Sequence, residues 1–254
     1  MSAFEADLEL ARRAACAAGD VLLARYPGPA RGLGRKSSET DPVSDADREA
    51  ERTIARLLAD QRPDDGVLGE EGASREGGSG RRWVVDPLDG TVSYLYRYPA
   101  WCVSVALEDQ RGTAVGVVHD PLRDETFAAV RGGGATLAAH PLAVRGGDRL
   151  ETALVATGFA YDPARRERQA EVVRKVLPSV RDIRRSGAAA LDLAWVAAGR
   201  LDGYYERGLN RWDWAAGRLL VEEAGGAVAE LDGDPPGLVA AAPALLPALR
   251  ALVS

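Results

Sequence analysis

Residues 83–91 read Trp83-Val-Val-Asp-Pro-Leu-Asp-Gly-Thr91, and this stretch carries the strongest local signal in the chain. Its apolar residues predict a buried strand that runs directly into two carboxylates, Asp86 and Asp89. Carboxylate and carbonyl oxygens are the ligands that magnesium takes. Asp86 is therefore placed to bridge two cations, with the Leu88 carbonyl and Asp89 as further ligands.

Gly90 and Thr91, the next residues, could bind an anion, but the same sequence could also form a simple turn. Gly90 lets the backbone approach a ligand, and if a helix begins there its free N–H groups would face a phosphate. Thr91 adds a hydroxyl at the same place. Asp-Pro-Leu-Asp-Gly is equally a good turn sequence, because Pro and Gly occupy favoured turn positions. Both interpretations stay open on this stretch alone.

Two further segments end in acids. Val67-Leu-Gly-Glu-Glu71 places Glu70 after a short apolar run, where it is a candidate metal ligand that orients a water. The segment from Tyr204 to Gly217 carries Asp213 near the start of a predicted helix, where the helix dipole already favours an acid. Each acid has a sufficient structural explanation when it is considered separately.

Outward from these segments, helices and strands alternate. Apolar spacing predicts helices near 4–26, 44–62, 163–177, 188–198, 212–224 and 243–252, and β-type runs predict strands near 83–85, 101–107, 114–118, 126–130, 154–157, 202–206 and 238–241. Ser44, with Asp47 three residues later, has the pattern of a helix cap. No repeat or clear linker interrupts the alternation. The expected fold class is α/β, as one layered domain over residues 1–254.

Composition narrows the function classes. The 254 residues include 32 Lys or Arg and 38 Asp or Glu, and the net charge of −6 gives no general attraction to nucleic acid or to an anionic membrane. Cys16 and Cys102 give no disulfide framework, and no stretch reaches the roughly 20 apolar residues of a membrane span, so a cytoplasmic location is expected. His119 and His140 are too few for a His-rich zinc site. Carboxylates are therefore the side chains expected to carry out any catalysis.

Taken together, the segments resemble the inositol monophosphatase family, which is metal-dependent and related to the fructose bisphosphatases. The resemblance covers nearly the whole chain and rests on matches at Asp41-Pro-Val-Ser44 with Asp47, Gly69-Glu-Glu71, Trp83–Thr91 continuing through Tyr98-Pro99 to Val103-Ser-Val105, Gly116-Val-Val118 with Asp120-Pro121, and Trp212-Asp213 with Glu223-Ala-Gly-Gly226. It implies an alternating αβαβα sandwich.

The resemblance implies a metal site built from five residues. Glu70, Asp86 and the Leu88 carbonyl would hold a first magnesium ion. Asp86, Asp89 and Asp213 would hold a second, with two or three ions per site. Inhibition by lithium is a further expectation from the family.

The resemblance also implies catalytic and substrate contacts. Glu70 and Thr91 would position a metal-activated water for in-line attack on phosphorus. Gly90 and Thr91 would bind the phosphate, while Asp89 and Asp213 would also contact the substrate. Ala189 would contact the ring of inositol through its backbone, and Glu206 would bind the ring hydroxyls.

The implied reaction is magnesium-dependent hydrolysis of a small phosphate monoester, inositol 1-phosphate being the first candidate. Alternatives are a histidinol-phosphate, fructose-bisphosphate or nucleotide 3′-phosphate phosphatase, or a regulatory binding protein of transcription complexes on the same fold. A homodimer is implied as well. Lys36 matches a recurrent basic position whose role stays open. Ser93 and Ala139-His140 depart from the commoner pattern, which has Asn and Asn-Gly there.

Overall fold

Two continuously buried segments form the centre of the larger sheet. In the computed structural model, which describes residues 4–26, 34, 35 and 42–254, the strands at 82–89 and 102–109 pair antiparallel and are buried along almost their whole length. Strands covered on both faces read as nearly continuous apolar runs. Lys36 and Asp41 lie outside the described residues.

The described residues form the following elements. The α-helices are α1 Glu5–Leu23, α2 Asp45–Gln61, α3 Thr91–Leu95, α4 Pro163–Val176, α5 Ala189–Ala197, α6 Arg211–Glu223 and α7 Leu246–Val253. The strands are β1 Gly34–Arg35, β2 Pro42–Val43, β3 Gly66–Gly69, β4 Ser74–Arg75, β5 Arg82–Asp89, β6 Cys102–Asp109, β7 Gly112–Asp120, β8 Glu125–Val130, β9 Gly134–Leu137, β10 His140–Pro141, β11 Leu154–Thr157, β12 Asp182–Arg184, β13 Gly203–Arg207, β14 Ala227–Leu231 and β15 Gly237–Ala241. A 3₁₀ turn covers Leu150–Thr152.

Strand order places the ends of β3 and β5 side by side. Within the described residues, an eight-stranded sheet has the order β10-β9-β8-β7-β6-β5-β3-β4 and a five-stranded sheet has the order β12-β11-β13-β15-β14. Neighbouring strands are antiparallel except for β3 with β5, β11 with β12 and β11 with β13. Gly69 lies opposite Val85 in the parallel pair, so the residues that follow each strand emerge at the same edge.

Helical layers alternate with the eight-stranded and five-stranded sheets. Trp83 and Val85 of β5 pack in the cluster that joins α1 and α2 to one face of the large sheet. Val84 points to the other face, where α5 and α6 fill the space between the sheets. Helices α4 and α7 contribute to the third cluster, on the outer face of the small sheet. The αβαβα arrangement expected from the sequence is confirmed.

The predicted start of α2 is confirmed at the level of single hydrogen bonds. The Ala46 N–H donates to Ser44 Oγ at 3.2 Å, and the Ser44 N–H donates to Asp47 Oδ2 at 3.0 Å. These bonds form the capping box that the Ser44 and Asp47 spacing predicts. In the described part of the chain, no helix combines the length and apolar character needed to cross a membrane.

Strand β5 differs from the prediction in its length. The apolar pattern ended the strand at Val85, but β5 continues to Asp89 with a shift in its pairing to β6 between Asp86 and Asp89. Such a bulge bends a strand and redirects its side chains. The two acids are therefore held within a paired strand, which fixes them more firmly than a loop after the strand would.

Candidate active site

Every site residue predicted from the sequence lies on the wall of one cavity of about 800 Å³. Six of them come from the β3 and β5 edge and three from the small-sheet side of the molecule. They are Glu70, Asp86, Leu88, Asp89, Gly90, Thr91, Ala189, Glu206 and Asp213. The fold thus brings together segments that are more than a hundred positions apart in the sequence.

Asp86 and Asp89 are fixed by the backbone around the bulge of β5. Asp86 is almost completely buried, and its Oδ1 accepts the Leu88 N–H at 3.0 Å. Asp89 Oδ2 accepts the Ala190 N–H at 2.6 Å, which ties β5 to the first turn of α5. The thiol of Cys102 lies 3.7 Å from the same oxygen. Both carboxylates are therefore held in one orientation before any ligand binds.

Glu70 is positioned by a loop that a second glutamate supports. The Glu70 N–H donates to the Val85 carbonyl at 3.2 Å, which extends the β3 and β5 pairing by one residue. Glu51 of α2 accepts the N–H groups of Glu71 and Ala73 at 2.8 and 2.9 Å. A Cβ at Gly69 would collide with the Glu51 carboxylate, which explains the glycine before the paired acids. Glu51 was not predicted as a residue that supports the site.

Asp213 caps the start of α6 and also lines the cavity. It is the third residue of α6, and its Oδ2 accepts the Asn210 N–H at 2.6 Å in a capping box. The helix itself is fastened to β6, where Ser104 Oγ donates to the Trp212 carbonyl at 3.3 Å. The structural interpretation of Asp213 and its predicted place at the site are therefore compatible.

The turn after β5 is built for close backbone approach. Gly90 has a φ of +92°, and a Cβ there would lie 2.9 Å from the Ala100 carbonyl oxygen. Such a φ favours glycine. Helix α3 begins at Thr91, whose Oγ1 lies 3.2 Å from both Asp47 Oδ1 and the Leu88 carbonyl. Asp47 thus caps α2 and also orients the Thr91 hydroxyl, a second role that its spacing in the sequence did not indicate.

Ser93 joins the turn to the segment before α5. Its buried Oγ donates to the Ser186 carbonyl at 3.1 Å. Ser186 Oγ in turn accepts the Ala188 N–H at 3.2 Å, next to Ala189. The serine that departs from the commoner family pattern therefore supports the backbone on which Ala189 and the Asp89 contact depend. The other departure, at His140, lies exposed on edge strand β10.

Glu206 lies on the wall of the same cavity and belongs to β13 of the small sheet. The Tyr204 hydroxyl donates to Glu206 Oε2 at 2.6 Å, and the carboxylate fills the space beside Gly158, where a Cβ would clash with it. Burial raises the pKa of Glu206 to about 7, against the opposing effects of the Tyr204 hydrogen bond and the charge of Arg185. This carboxylate is an oriented acceptor for hydroxyl groups.

Burial and neighbouring carboxylates raise the pKa values of Asp86 and Asp213. Burial holds the pKa of Asp86 well above its usual range, and the charges of Glu70, Asp89 and Asp213 add to the effect. Burial, followed by Asp89 and Glu70, likewise holds the pKa of Asp213 well above its usual range. Buried like charges of this kind are unfavourable unless cations neutralise them.

The donor set fits a hard divalent cation. Glu70, Asp86, Asp89, Asp213 and the Leu88 carbonyl supply oxygen atoms of the kind that magnesium takes, and the four side chains carry the charge that two such ions balance. Among the residues that the structure describes, no group of three or more His, Cys, Asp or Glu side chains has the geometry of a formed metal site. The fit therefore rests on donor type, on charge and on the shared cavity.

The buried acids predict how the metal-free protein responds to pH. Burial is the main cause that raises the pKa of Asp89 from 3.8 to about 7. Between these pH values the folded protein keeps a proton that the unfolded chain releases. The resulting stability is fully present below the unfolded pKa and is lost as the pH rises through 7. In EDTA, the free energy of unfolding should therefore fall by about 1.4 kcal/mol per pH unit for one such proton.

The measurement is denaturant unfolding in EDTA at several pH values between about 5 and 8. The variant Asp89→Asn cannot take up this proton, so its stability should depend less on pH. An equal pH dependence in the variant and in the unchanged protein would contradict the assignment.

The chain is similar to known proteins over most of its length. The chain matches the model of the inositol monophosphatase family over residues 5–253. The Nus factor SuhB of Xylella fastidiosa is 44% identical over 223 residues, which cover 87% of this chain and 80% of that protein. The inositol-1-monophosphatase of Mycobacterium bovis is 46% identical over 202 residues, which cover 76% of this chain and 70% of that protein.

A solved structure extends the likeness to the whole fold. The extragenic suppressor protein suhB from Bartonella henselae superposes with a TM-score of 0.93 at 38% identity, and the match covers 98% of this chain and 99% of that one. The family expected from the sequence motifs is thereby confirmed. This chain belongs to the inositol monophosphatase family and is a metal-dependent phosphoric monoester hydrolase.

Proposed function

We propose that this enzyme uses magnesium to hydrolyse a small polyol phosphate, with inositol 1-phosphate as the first candidate substrate. The observation that carries the proposal is the shared cavity, whose wall holds both the oxygen donors for cations and the hydroxyl acceptor Glu206. A phosphate ester placed between them would direct its phosphate to the acids and its polyol to Glu206. The name of the M. bovis relative supports the same substrate.

The proposed metal ligands are the oxygen donors on the cavity wall. Glu70, Asp86, Asp89, Asp213 and the Leu88 carbonyl would hold the cations. Bound magnesium supplies Lewis-acid polarisation of the phosphoryl group and a more acidic water.

The turn after β5, together with Ala189 and Glu206, would bind the substrate. Gly90 and Thr91 would bind the phosphate through the backbone at the start of α3. The Thr91 hydroxyl, oriented by Asp47, and the Glu70 carboxylate would hold the attacking water, and Glu70 would accept its proton. Ala189 and Glu206 would orient the leaving group, since Glu206 accepts hydrogen bonds from its hydroxyls.

The family assignment also suggests an oligomeric state, a cellular location and an inhibitor. We propose a homodimer in the cytoplasm, formed by chains that each carry one inositol monophosphatase domain over residues 1–254. The match of the family model to residues 5–253 supports a single domain. Lithium is proposed as an inhibitor because it would compete for the carboxylate site.

Substitution of Glu206 tests the substrate. Glu206→Gln keeps the size of the side chain and an acceptor for the Tyr204 hydroxyl but removes the charge. Hydrogen bonds to charged groups are the stronger ones, so kcat/KM for inositol 1-phosphate should fall about tenfold. The assay is phosphate release with magnesium from inositol 1-phosphate, histidinol phosphate, fructose 1,6-bisphosphate, a nucleoside 3′-phosphate and glycerol 2-phosphate.

The control is Glu230→Gln, which changes an exposed glutamate outside the cavity. If inositol 1-phosphate is not the best ester of the panel, or if Glu206→Gln leaves its kcat/KM unchanged, the proposed substrate is wrong. The reaction type would still stand if another ester of the panel is hydrolysed.

A second candidate function is regulatory binding, the alternative that the sequence left open. The observation in its favour is the 44% identity to a protein named as a Nus factor. This role does not require hydrolysis. A variant that has lost phosphatase activity but keeps its fold separates the two functions, because binding would survive in it.

A further inference from the structure

Asp213 reaches the cavity from a different element than the other proposed metal ligands. Glu70 follows β3, and Asp86, Leu88 and Asp89 lie in β5, whereas Asp213 is the third residue of α6. A metal site requires its ligands to be held within about 0.5 Å of the productive geometry. The attachment of the first turn of α6 to the large sheet therefore decides whether Asp213 can complete the ligand set.

The first turn of α6 is less buried than the helix that follows it. Residues 211–214 are half-buried and Asn210 before them is exposed, whereas residues 215–217 are buried. Gly116 of β7 leaves room for the backbone of Ala216, since a Cβ at Gly116 would lie 2.9 Å from the Ala216 carbonyl oxygen. Helix ends fray where few packing contacts hold them. Packing thus fixes the body of α6, but its first turn depends on side-chain contacts.

An ion pair joins this first turn to β6. Glu108 of β6 has 8% of its side chain exposed, and its Oε1 accepts a hydrogen bond from Arg211 Nε at 2.5 Å. Arg211 Nη2 lies against the same oxygen. Arg211 is the first residue of α6, where a cation opposes the helix dipole. The helix itself therefore does not favour an arginine at this position, whereas Glu108 does.

Two further contacts hold the residues on either side of Asp213. The Arg211 guanidinium lies 4.1 Å from the centre of the Trp214 ring, which is a favourable cation–π contact. The Trp212 carbonyl accepts a hydrogen bond from Ser104 Oγ of β6 at 3.3 Å. The turn that carries Asp213 is thus attached to β6 through two separate side chains of that strand.

Glu108 also pairs with a second cation, which does not belong to α6. Its Oε2 accepts a hydrogen bond from Nη2 of Arg82, the first residue of β5, at 2.8 Å. Removal of the Arg211 charge would therefore leave Glu108 paired, without the large penalty of an uncompensated buried charge. The effect of Arg211 on α6 can thus be separated from a general loss of stability.

We propose that Glu108 and Arg211 are positioning residues that hold Asp213 in place for cation binding. Neither side chain lines the cavity, so both act through the first turn of α6. This inference rests on the proposed function, because it concerns a metal ligand of that function. Residues that hold metal ligands in place commonly change metal affinity or activity by about 10–100-fold when they are replaced.

Substitution of Arg211 tests the inference. For Arg211→Gln, the magnesium concentration that gives half-maximal phosphate release should rise about tenfold, because a displaced Asp213 binds the cation less well. The assay uses the best ester of the panel, whose KM should change much less. Glu108→Gln should give the same shift. The double variant Glu108→Gln/Arg211→Gln should add little to either single change, since both break one contact.

The matched control is Arg218→Gln on the same helix. Arg218 lies 5.8 Å from the centre of the same Trp214 ring, but its carboxylate partner Glu222 also belongs to α6. This variant should keep the magnesium dependence of the unchanged enzyme. An unchanged magnesium dependence in Arg211→Gln, or an equal shift in Arg218→Gln, would overturn the positioning role. So would effects of Glu108→Gln and Arg211→Gln that simply add in the double variant.

Hydrogen exchange separates this inference from the proposed function. If no ester is hydrolysed with magnesium, the proposed function fails, and amide exchange over residues 210–216 in EDTA decides the positioning role. The Asn210 N–H bonds to Asp213 Oδ2, so its exchange reports how often the turn opens. Exchange should be about fivefold faster in Arg211→Gln and Glu108→Gln, but unchanged in Arg218→Gln. Equal exchange in all four proteins would reject it.

Discussion

Replacing Asp86 by Asn is expected to abolish phosphate release while making the metal-free protein more stable. Asp86 is the proposed bridge between two cations, and the amide keeps an oxygen for the Leu88 N–H but brings no charge. Loss of this electrostatic stabilisation should lower kcat by about 10³-fold or more. The buried charge that Glu70, Asp89 and Asp213 now repel would be absent. The free energy of unfolding in EDTA should therefore rise by about 1–3 kcal/mol at pH 8.

The two effects together distinguish a metal ligand from a structural residue. A residue that is needed only for folding would lose activity and stability at the same time. Asp60→Asn, which removes one charge from the exposed face of α2, is the control and should change neither quantity appreciably. Near-normal activity in Asp86→Asn would reject the bridging role. The same inactive variant also tests the regulatory candidate, because a binding function would persist in it.

Magnesium is expected to raise the melting temperature of the unchanged protein strongly. A ligand that binds only the folded state, at about 100 times its Kd, stabilises it by about 2.7 kcal/mol. For a chain of this size each kcal/mol shifts the melting temperature by about 2–4 °C, so a rise of about 5–10 °C is expected. The physical source is neutralisation of the buried carboxylates around Asp86 and Asp213.

The experiment compares melting curves in EDTA and in millimolar magnesium chloride. Sodium chloride at the same ionic strength serves as the control, because general screening acts on exposed charges throughout the surface. Asp213→Asn should reduce the magnesium-specific rise. A shift that sodium chloride reproduces, or one that persists in Asp213→Asn and Asp86→Asn alike, would contradict cation binding at this cavity.

Most of the long helices and strands were predictable because each is specified by residues that are close together in the sequence. The apolar spacing of α1, the cap of α2 and the runs of β5 to β8 each depend on residues within a few positions of one another. The predictions omitted β9, β12 and β14, which have less buried or more polar sequences. Their strand character comes from pairing with β8, β11 and β15, and pairing partners are not visible in a local pattern.

The site residues were predictable from the sequence, but the residues that hold them in position were not. Motif order identified Glu70, Asp86 and Asp213, and the fold places them on the same cavity. Glu51 gave no such signal, and Asp47 was matched only as part of the motif with Ser44, because each supports a partner about 20 or 44 positions away.

The carboxylate metal site is tested most directly by phosphate release from inositol 1-phosphate as magnesium is added to the metal-free enzyme. The carboxylate site predicts no release above background in EDTA, a rise with magnesium concentration to saturation, and no rise in Asp86→Asn. Equal release with and without magnesium, or recovery of Asp86→Asn by magnesium to the level of the unchanged enzyme, would contradict it.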